Sequence, residues 1–256
     1  KMSVLSTYPI LCGSIAGNAS KLGVALHDAG YKAMNLDFKY IAIGTNSLSE
    51  AVEAAKTLNF RGFGISMPHK TSIISMLDEV SEDVSEIGAC NTVVVKNGRL
   101  FGFNTDWLGA IDALNEVGLE LPRRAVIVGS GGVARAIAYG LKTLDCEIWI
   151  AARNKTSANE IVRDLSLSGQ LDLDSQGTIM ADLIVNATPN SEEGGGPVRL
   201  ETHKAAKMLL DVVFSPKETP LIVEAQRLGL AVAPGWRMLL HQALHQFKLY
   251  TEMDPP

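Results

Sequence analysis

The sequence predicts an α/β fold built as two domains, and three observations carry that reading. Short apolar runs alternate with helix-like segments along most of the chain, the pattern of βαβ units and a parallel sheet. Near Phe103 to Leu108 a hairpin-like stretch gives way to a second series of such segments, which places a domain junction there. A chain of 256 residues also has room for one large domain or two of modest size.

"PILCGSIAG" (Pro9 to Gly17) reads as a first strand and turn, followed by a helix-like segment to about Gly30. "NLDFKYIAI" is the next strand and "SLSEAVEAAKTL" the next helix, where Ser47 and Glu50 form an S-x-x-E capping box. "FRGFGIS" reads as a strand ending in Met67-Pro68-His69-Lys70, with Lys70 presented from the start of a following helix. "NTVVVKNGRLFGF" (Asn91 to Phe103) reads as a hairpin, because Asn97-Gly98 supplies a tight turn between two β-rich runs.

In the second series "RAVIVGSGG" is a strand entering a glycine loop, "VARAIAYGLKTL" a helix and "CEIWIAAR" a strand. "DLIVNATP", "MLLDVVF" and "LAVAP" supply further strands. From Gly235 to Thr251 the residues Leu239, Leu240, Ala243, Leu244, Phe247 and Tyr250 recur at helical spacing.

The chain is 46% hydrophobic and 20% charged, with a formal net charge of -5, so a nucleic-acid-binding surface is not expected. Cys12, Cys90 and Cys146 are isolated and odd in number, which argues against a disulfide framework or zinc site and fits a reducing cytoplasm. No apolar run reaches the ~18 residues of a membrane span. Lys1-Met2-Ser3 opens no secretory leader, so a cytoplasmic location is expected.

"VIVGSGGVARA" holds Gly129, Ser130, Gly131, Gly132, Val133 and Ala134 as G-x-G-x-x-A between an apolar strand and a helix. Glycines let the backbone turn tightly beside a pyrophosphate, and the helix start offers N–H groups and a favourable dipole. After the next strand, NAD sites usually place an acid that bonds the ribose 2′-OH. This chain instead carries Arg153, Asn154 and Lys155, and a guanidinium there grips a 2′-phosphate. NADP(H) is therefore the expected cofactor.

"GFGISMPHK", "NTVV", "GFNTDWLGA", "GSGGVARA", "VNATP", "DVVFSPKETPL" and "MLLHQALHQF" follow one another in order over nearly the whole chain. Together they resemble the shikimate dehydrogenase family, in a divergent branch of it. The resemblance implies an N-terminal α/β substrate domain over 1–104, completed by a C-terminal helix at 238–256. A Rossmann-type NADP domain over 105–237 lies between them in the chain. It also implies interconversion of 3-dehydroshikimate and shikimate with NADP(H), in aromatic amino-acid biosynthesis. The family's catalytic lysine and aspartate fall on Lys70 and Asp106, and its substrate-holding asparagine and glutamine on Asn91 and Gln242. On the cofactor side the correspondence reaches Gly129, Gly131, Gly132, Arg153, Asn186, Thr188 and Met238.

Departures from the family pattern concentrate on the substrate side. Gly64 and Ser66 stand where the usual strand-loop form resembles Asn-Val-Thr-x-Pro-x-Lys. The usual S-x-S that binds the substrate carboxylate gives way to "GNASKLG", offering Ser20 and Lys21. Arg237 stands where a glycine is common.

An ammonium at Lys70 suits proton transfer to a developing alkoxide, and a carboxylate at Asp106 would orient it. Each residue also has a plain structural reading: Lys70 a solvated helix start, Asp106 a first-turn acid, Asn91 a strand cap, Gln242 a polar helix face. No metal is expected, and His69 has no assigned role. The expected partner is a small cyclic hydroxy acid as substrate, and the expected assembly is a monomer or homodimer. Shikimate, quinate and an amino analogue stay open as substrates, beside a regulatory NADP-binding module with little turnover. The Lys70 and Asp106 pair favours the enzyme.

Overall fold

The computed structural model describes residues 8–118, 120–189 and 196–256. The Lys1-Met2-Ser3 start lies outside the described residues. The chain separates into two compact units, one of 1–105 with 243–256, the other of 106–242.

Unit 1 is built on a six-stranded sheet in the order β2-β1-β3-β5-β6-β4. The strands are β1 (Ile10–Ala16), β2 (Phe38–Gly44), β3 (Gly62–Ile65), β4 (Glu79–Val80), β5 (Thr92–Lys96) and β6 (Arg99–Phe103). β1 runs parallel to β2 and β3, whereas β5 is antiparallel to both β3 and β6. The hairpin turns on Asn97 and Gly98, both at positive φ, the geometry an Asn-Gly pair adopts at little cost. Helices α1 (Lys21–Ala33), α2 (Leu48–Thr57) and α3 (Glu82–Ile87) complete the unit. Ser47 stands at the cap position of α2, but its side chain makes no cap hydrogen bond. Thr45 Oγ1 instead accepts from Ser47 N at 2.9 Å, and this local turn replaces the expected capping box.

Unit 2 has a six-stranded, all-parallel sheet in the order β12-β11-β10-β7-β8-β9. Its strands are β7 (Arg124–Val128), β8 (Glu147–Ala151), β9 (Gly169–Leu171), β10 (Leu183–Asn186), β11 (Met208–Asp211) and β12 (Ala231–Pro234). The helices α4 (Asp106–Asn115), α5 (Gly132–Lys142), α6 (Lys155–Leu165) and α7 (Pro220–Arg227) belong to it. β7, β8, β10 and β11 are buried nearly end to end, as strands covered on both faces must be. Strand order departs in opposite directions from β7, making the gap between β7 and β10 the topological switch point where open α/β sheets bind ligands.

Helix α8 (Gly235–Thr251) begins in unit 2 and ends in unit 1. Its C-terminal half packs on β3 because two glycines clear the way. A Cβ at Gly62 would lie 2.5 Å from the Tyr250 ring, and one at Gly64 3.1 Å from Gln246 Nε2. Phe63, between them, points into the opposite core with Ile15, Val52 and Val93. Among the described residues no helix is long and apolar enough to cross a membrane.

Candidate functional site

In unit 1 the predicted substrate residues gather along one rim of the sheet. β1 and β3 end there, and β5 starts there, with Gly64 paired to Thr92. The segment from Ser66 to Lys70 is tied down by backbone bonds on two sides. Ser66 N donates to Ile15 O at 3.0 Å, and Gly17 N to Met67 O at 2.9 Å. Lys70 O accepts from Cys90 N at 2.8 Å, which joins the lysine's backbone to the residue before Asn91.

That same bond corrects one expectation. Lys70 lies in a turn and does not open an α-helix; only a short 3-10 turn follows, at Ser72–Met76. Its carbonyl is spent on Cys90 and is not available to a helix. His69, left without a role by the sequence, is buried and bonds the Thr45 carbonyl through Nε2 at 2.9 Å. A carbonyl only accepts, so Nε2 carries the proton, and His69 anchors the turn that holds Lys70.

Asn91 is 2% exposed, and its side chain is fixed by its neighbours. Oδ1 accepts from Thr105 N at 2.7 Å and from Thr92 Oγ1 at 2.8 Å, while Nδ2 donates to Thr105 Oγ1 at 3.0 Å. Thr105 is the last residue of unit 1 before Asp106, the first residue of α4. Ser20 and Lys21 stand at the start of α1, both exposed. Ser20 Oγ caps that helix by accepting from Leu22 N at 3.2 Å. Ser66 is exposed at the rim.

Sequence reasoning missed the layer behind Asn91. Gln246, 5% exposed, donates through Nε2 to Thr92 Oγ1 at 3.0 Å and to the Asn91 carbonyl at 3.3 Å. Its Oε1 meets His27 Nε2 at 3.4 Å, and the His27 ring stacks on Tyr40 with centroids 4.2 Å apart. Burial pushes the His27 pKa down to about 4, so this ring is neutral at pH 7. One signal was present: "HQALHQ" repeats His-Gln four residues apart, which puts Gln246 one helical turn beyond Gln242.

In unit 2 the glycine loop lies at the switch point. Gly129 has φ +129°, and a Cβ there would lie 2.8 Å from the Ala187 carbonyl, so only glycine fits between β7 and the end of β10. Ser130 and Gly131 follow, and Gly131 caps α5 without any side-chain hydrogen bond to the helix start. Nothing lies within 4 Å of a Cβ built on Gly131, so there is open space beside the cap residue of α5. Ala134 is fully buried, the small residue that lets helix and strand pack closely. A pyrophosphate fits this cradle.

Arg153 and Asn154 lie beyond β8, exposed. Among the described residues Arg153 has no hydrogen bond or ion pair, whereas Lys155 Nζ pairs with Asp172 Oδ1 at 2.6 Å. Asn154 caps α6, its Oδ1 accepting from Ser157 N at 3.1 Å. Of the two predicted cations, Arg153 alone has no ion pair among the described residues.

Asn186 ends β10, 2% exposed, donating through Nδ2 to Asp211 Oδ1 at 2.9 Å. Its Oδ1 accepts from Thr188 Oγ1 at 2.7 Å and from Thr188 N at 3.2 Å. The fully buried Asp211 also accepts from Thr219 Oγ1 at 2.5 Å and from Val213 N. Burial raises the Asp211 pKa, and the hydrogen bonds from Thr219, Val213 and Asn186 oppose that rise. Asp211 and Thr219 are a further pair that sequence reasoning did not identify.

Met238 is 6% exposed, in the unit 2 core where α8 crosses α4. Gly109 permits that crossing: a Cβ there would lie 2.7 Å from both Met238 O and Gln242 N. Gln242 is half-buried and donates to the Leu239 carbonyl at 3.0 Å. Arg237 lies over the Trp236 ring at 4.4 Å and faces Glu116 Oε2 at 3.4 Å. Among the described residues no cluster of His, Cys, Asp or Glu forms a metal site.

Residues 19–93 match a family model described as the shikimate dehydrogenase substrate binding domain. The shikimate dehydrogenase (NADP(+)) of Thermococcus kodakarensis is 36% identical over 242 residues, covering 91% of this chain and 88% of its own. A crystal structure of the Thermus thermophilus shikimate 5-dehydrogenase, in complex with NADP(H) and shikimate, superposes with a TM-score of 0.88. Identity to it is 30%, with 96% of this chain and 95% of that chain covered. The quinate dehydrogenase of Corynebacterium glutamicum, in complex with NAD, gives a TM-score of 0.87 at 30% identity, covering 97% and 95% of the two chains.

Proposed function

This chain belongs to the shikimate dehydrogenase family, and from that premise we propose that it is an NADP-dependent oxidoreductase interconverting 3-dehydroshikimate and shikimate. The observation that carries this reading is the rim of unit 1. There the Lys70 backbone is bonded to Cys90, and Asn91 is locked to Thr105, the neighbour of Asp106 in the chain.

When bound, the cofactor supplies hydride transfer at its nicotinamide. The Gly129–Gly132 turn and the start of α5 hold the pyrophosphate, and Arg153 takes the 2′-phosphate in place of the acid that NAD sites use. Asn186 and Thr188 frame the switch point, and Met238 lines the nicotinamide side.

On the substrate, Lys70 gives a proton to the ring oxygen as the carbonyl is reduced and takes it back as the alcohol is oxidised. Asp106 hydrogen-bonds the same hydroxyl and orients the ammonium. Asn91 and Gln242 hold neighbouring hydroxyls. Ser20, Lys21 and Ser66 receive the carboxylate, with a lysine charge where the family pattern relies on hydroxyls.

Purified protein mixed with NADP⁺ and a panel of shikimate, quinate and an amino analogue tests this, read by absorbance of the reduced nicotinamide. The expected outcome is turnover with shikimate, faster with NADP⁺ than NAD⁺. No turnover with any cyclic hydroxy acid overturns the proposal, and preference for quinate moves the substrate while keeping the chemistry.

A further inference from the structure

Gln246 Nε2 lies 3.1 Å from where a Cβ on Gly64 would stand, so the helix fills the place that a strand side chain would occupy. The family pattern carries an asparagine at that position; here an amide reaches it from α8. We propose that Gln246 is a positioning residue for substrate binding, bracing Asn91 at its backbone carbonyl and through the Thr92 hydroxyl, and that Gly64 and Gln246 are a compensating pair.

Two supports hold the Asn91 amide: the Thr105 N–H, which only donates, and the Thr92 hydroxyl, behind which Gln246 stands. Both Gln246 N–H groups are used, one on Thr92 Oγ1 and one on the Asn91 carbonyl. Thr92 Oγ1 receives that bond and donates its own proton to Asn91 Oδ1 at 2.8 Å. Asn91 Oδ1, already taking Thr105 N at 2.7 Å, is held as the acceptor, and Nδ2 as the donor. The arrangement keeps its sense only if Gln246 Oε1 itself faces a donor. His27 Nε2 is that donor, on a ring that burial keeps neutral. Removing the Gln246 N–H frees the Thr92 hydroxyl to turn towards Thr105 Oγ1, 3.3 Å away, and leaves the Asn91 amide braced by its Thr105 bonds alone. The departure at Gly64 is therefore matched inside the protein, and the ring-hydroxyl site is retained.

This rests on Asn91 contacting the substrate, so the test separates the two ideas. Gln246→Ala should raise KM for the cyclic acid roughly 5- to 30-fold, the scale of one or two lost buried hydrogen bonds, and leave KM for NADP⁺ unchanged. Gly64→Asn with Gln246→Ala should bring KM back to within about 3-fold of the parent, by returning an amide from the strand side. Gly64→Asn alone, with two amides in one space, should be worse than either. Gln246→Met keeps the packing if the alanine variant does not fold, and should show the same rise in KM. Lower thermal stability with an unchanged KM, or no recovery in the double variant, overturns the inference. An unchanged KM in Asn91→Ala overturns the site reading beneath it.

Discussion

The two units each bury an asparagine at the mouth of a sheet, and they hold it by different means. Asn91 in unit 1 is set in a neutral network of two threonines and a glutamine. Asn186 in unit 2 is set against a carboxyl, Asp211, which also takes Thr219 and the Val213 N–H. A neutral network is cheaper to bury, but its hydroxyls have more than one way to point, and Gln246 narrows the choice at Thr92. A carboxyl only accepts when ionised, so its three donors have one way to point, at a larger desolvation cost. Unit 1 thus holds its asparagine with groups that can turn, and unit 2 holds its own with a carboxyl that leaves its donors one direction.

Acid should break this parallel first. His27 in unit 1 and His203 in unit 2 are both buried, each with its pKa pushed down to about 4 by burial. Between the ordinary histidine value and that pKa, the unfolded chain takes up protons that the folded chain does not. Stability therefore falls as pH drops from about 6.5 towards 4, by up to about 3 kcal/mol per ring. In unit 2 the raised Asp211 pKa acts in the opposite sense, since the folded carboxyl holds its proton at higher pH than the unfolded one. Amide hydrogen exchange at pH 4.5 and 7 should show unit 1 losing protection ahead of unit 2. Equal loss, or unit 2 first, would remove the contrast between the two networks.

The cations at the two mouths sharpen it further. Lys70→Ala should lower kcat by about 10²-fold or more and leave KM for NADP⁺ alone, as expected for a lost proton-transfer group. An unchanged kcat takes Lys70 out of the mechanism. Arg153→Ala should weaken NADP⁺ roughly 10-fold, leave NAD⁺ almost unaffected and spare kcat. Equal losses for both cofactors would refute the phosphate contact. Should both variants change the same kinetic parameter, the division of labour between the units fails.

The legible parts of this molecule were those written in neighbouring residues. The glycine turn after β7, the Asn97-Gly98 hairpin and the helix Gly235–Thr251 are each set by a local pattern, and each stands as read. Ser47 and Glu50 show where local pattern misleads, because Thr45 offers a competing hydroxyl two residues away. Helix α6 went unread since its buried face is only Ala158, Ile161 and Leu165. The layer behind Asn91 was out of reach for another reason. Gln246 and Thr92 are 154 residues apart, and their hydrogen bond exists only after β3 and α8 have met. The same holds for Lys70, whose turn is decided by Cys90 and not by the residues that follow it.

Helix α8 carries one more consequence. Unit 2 is an insertion within unit 1, whose final piece is residues 243–256. As the chain leaves the ribosome, all of unit 2 is available to fold before Gln246, Phe247 and Tyr250 emerge to close the aromatic cluster over Gly62 and Gly64. A stop codon placed after Gln242 would therefore spare the cofactor cradle and cripple the other unit.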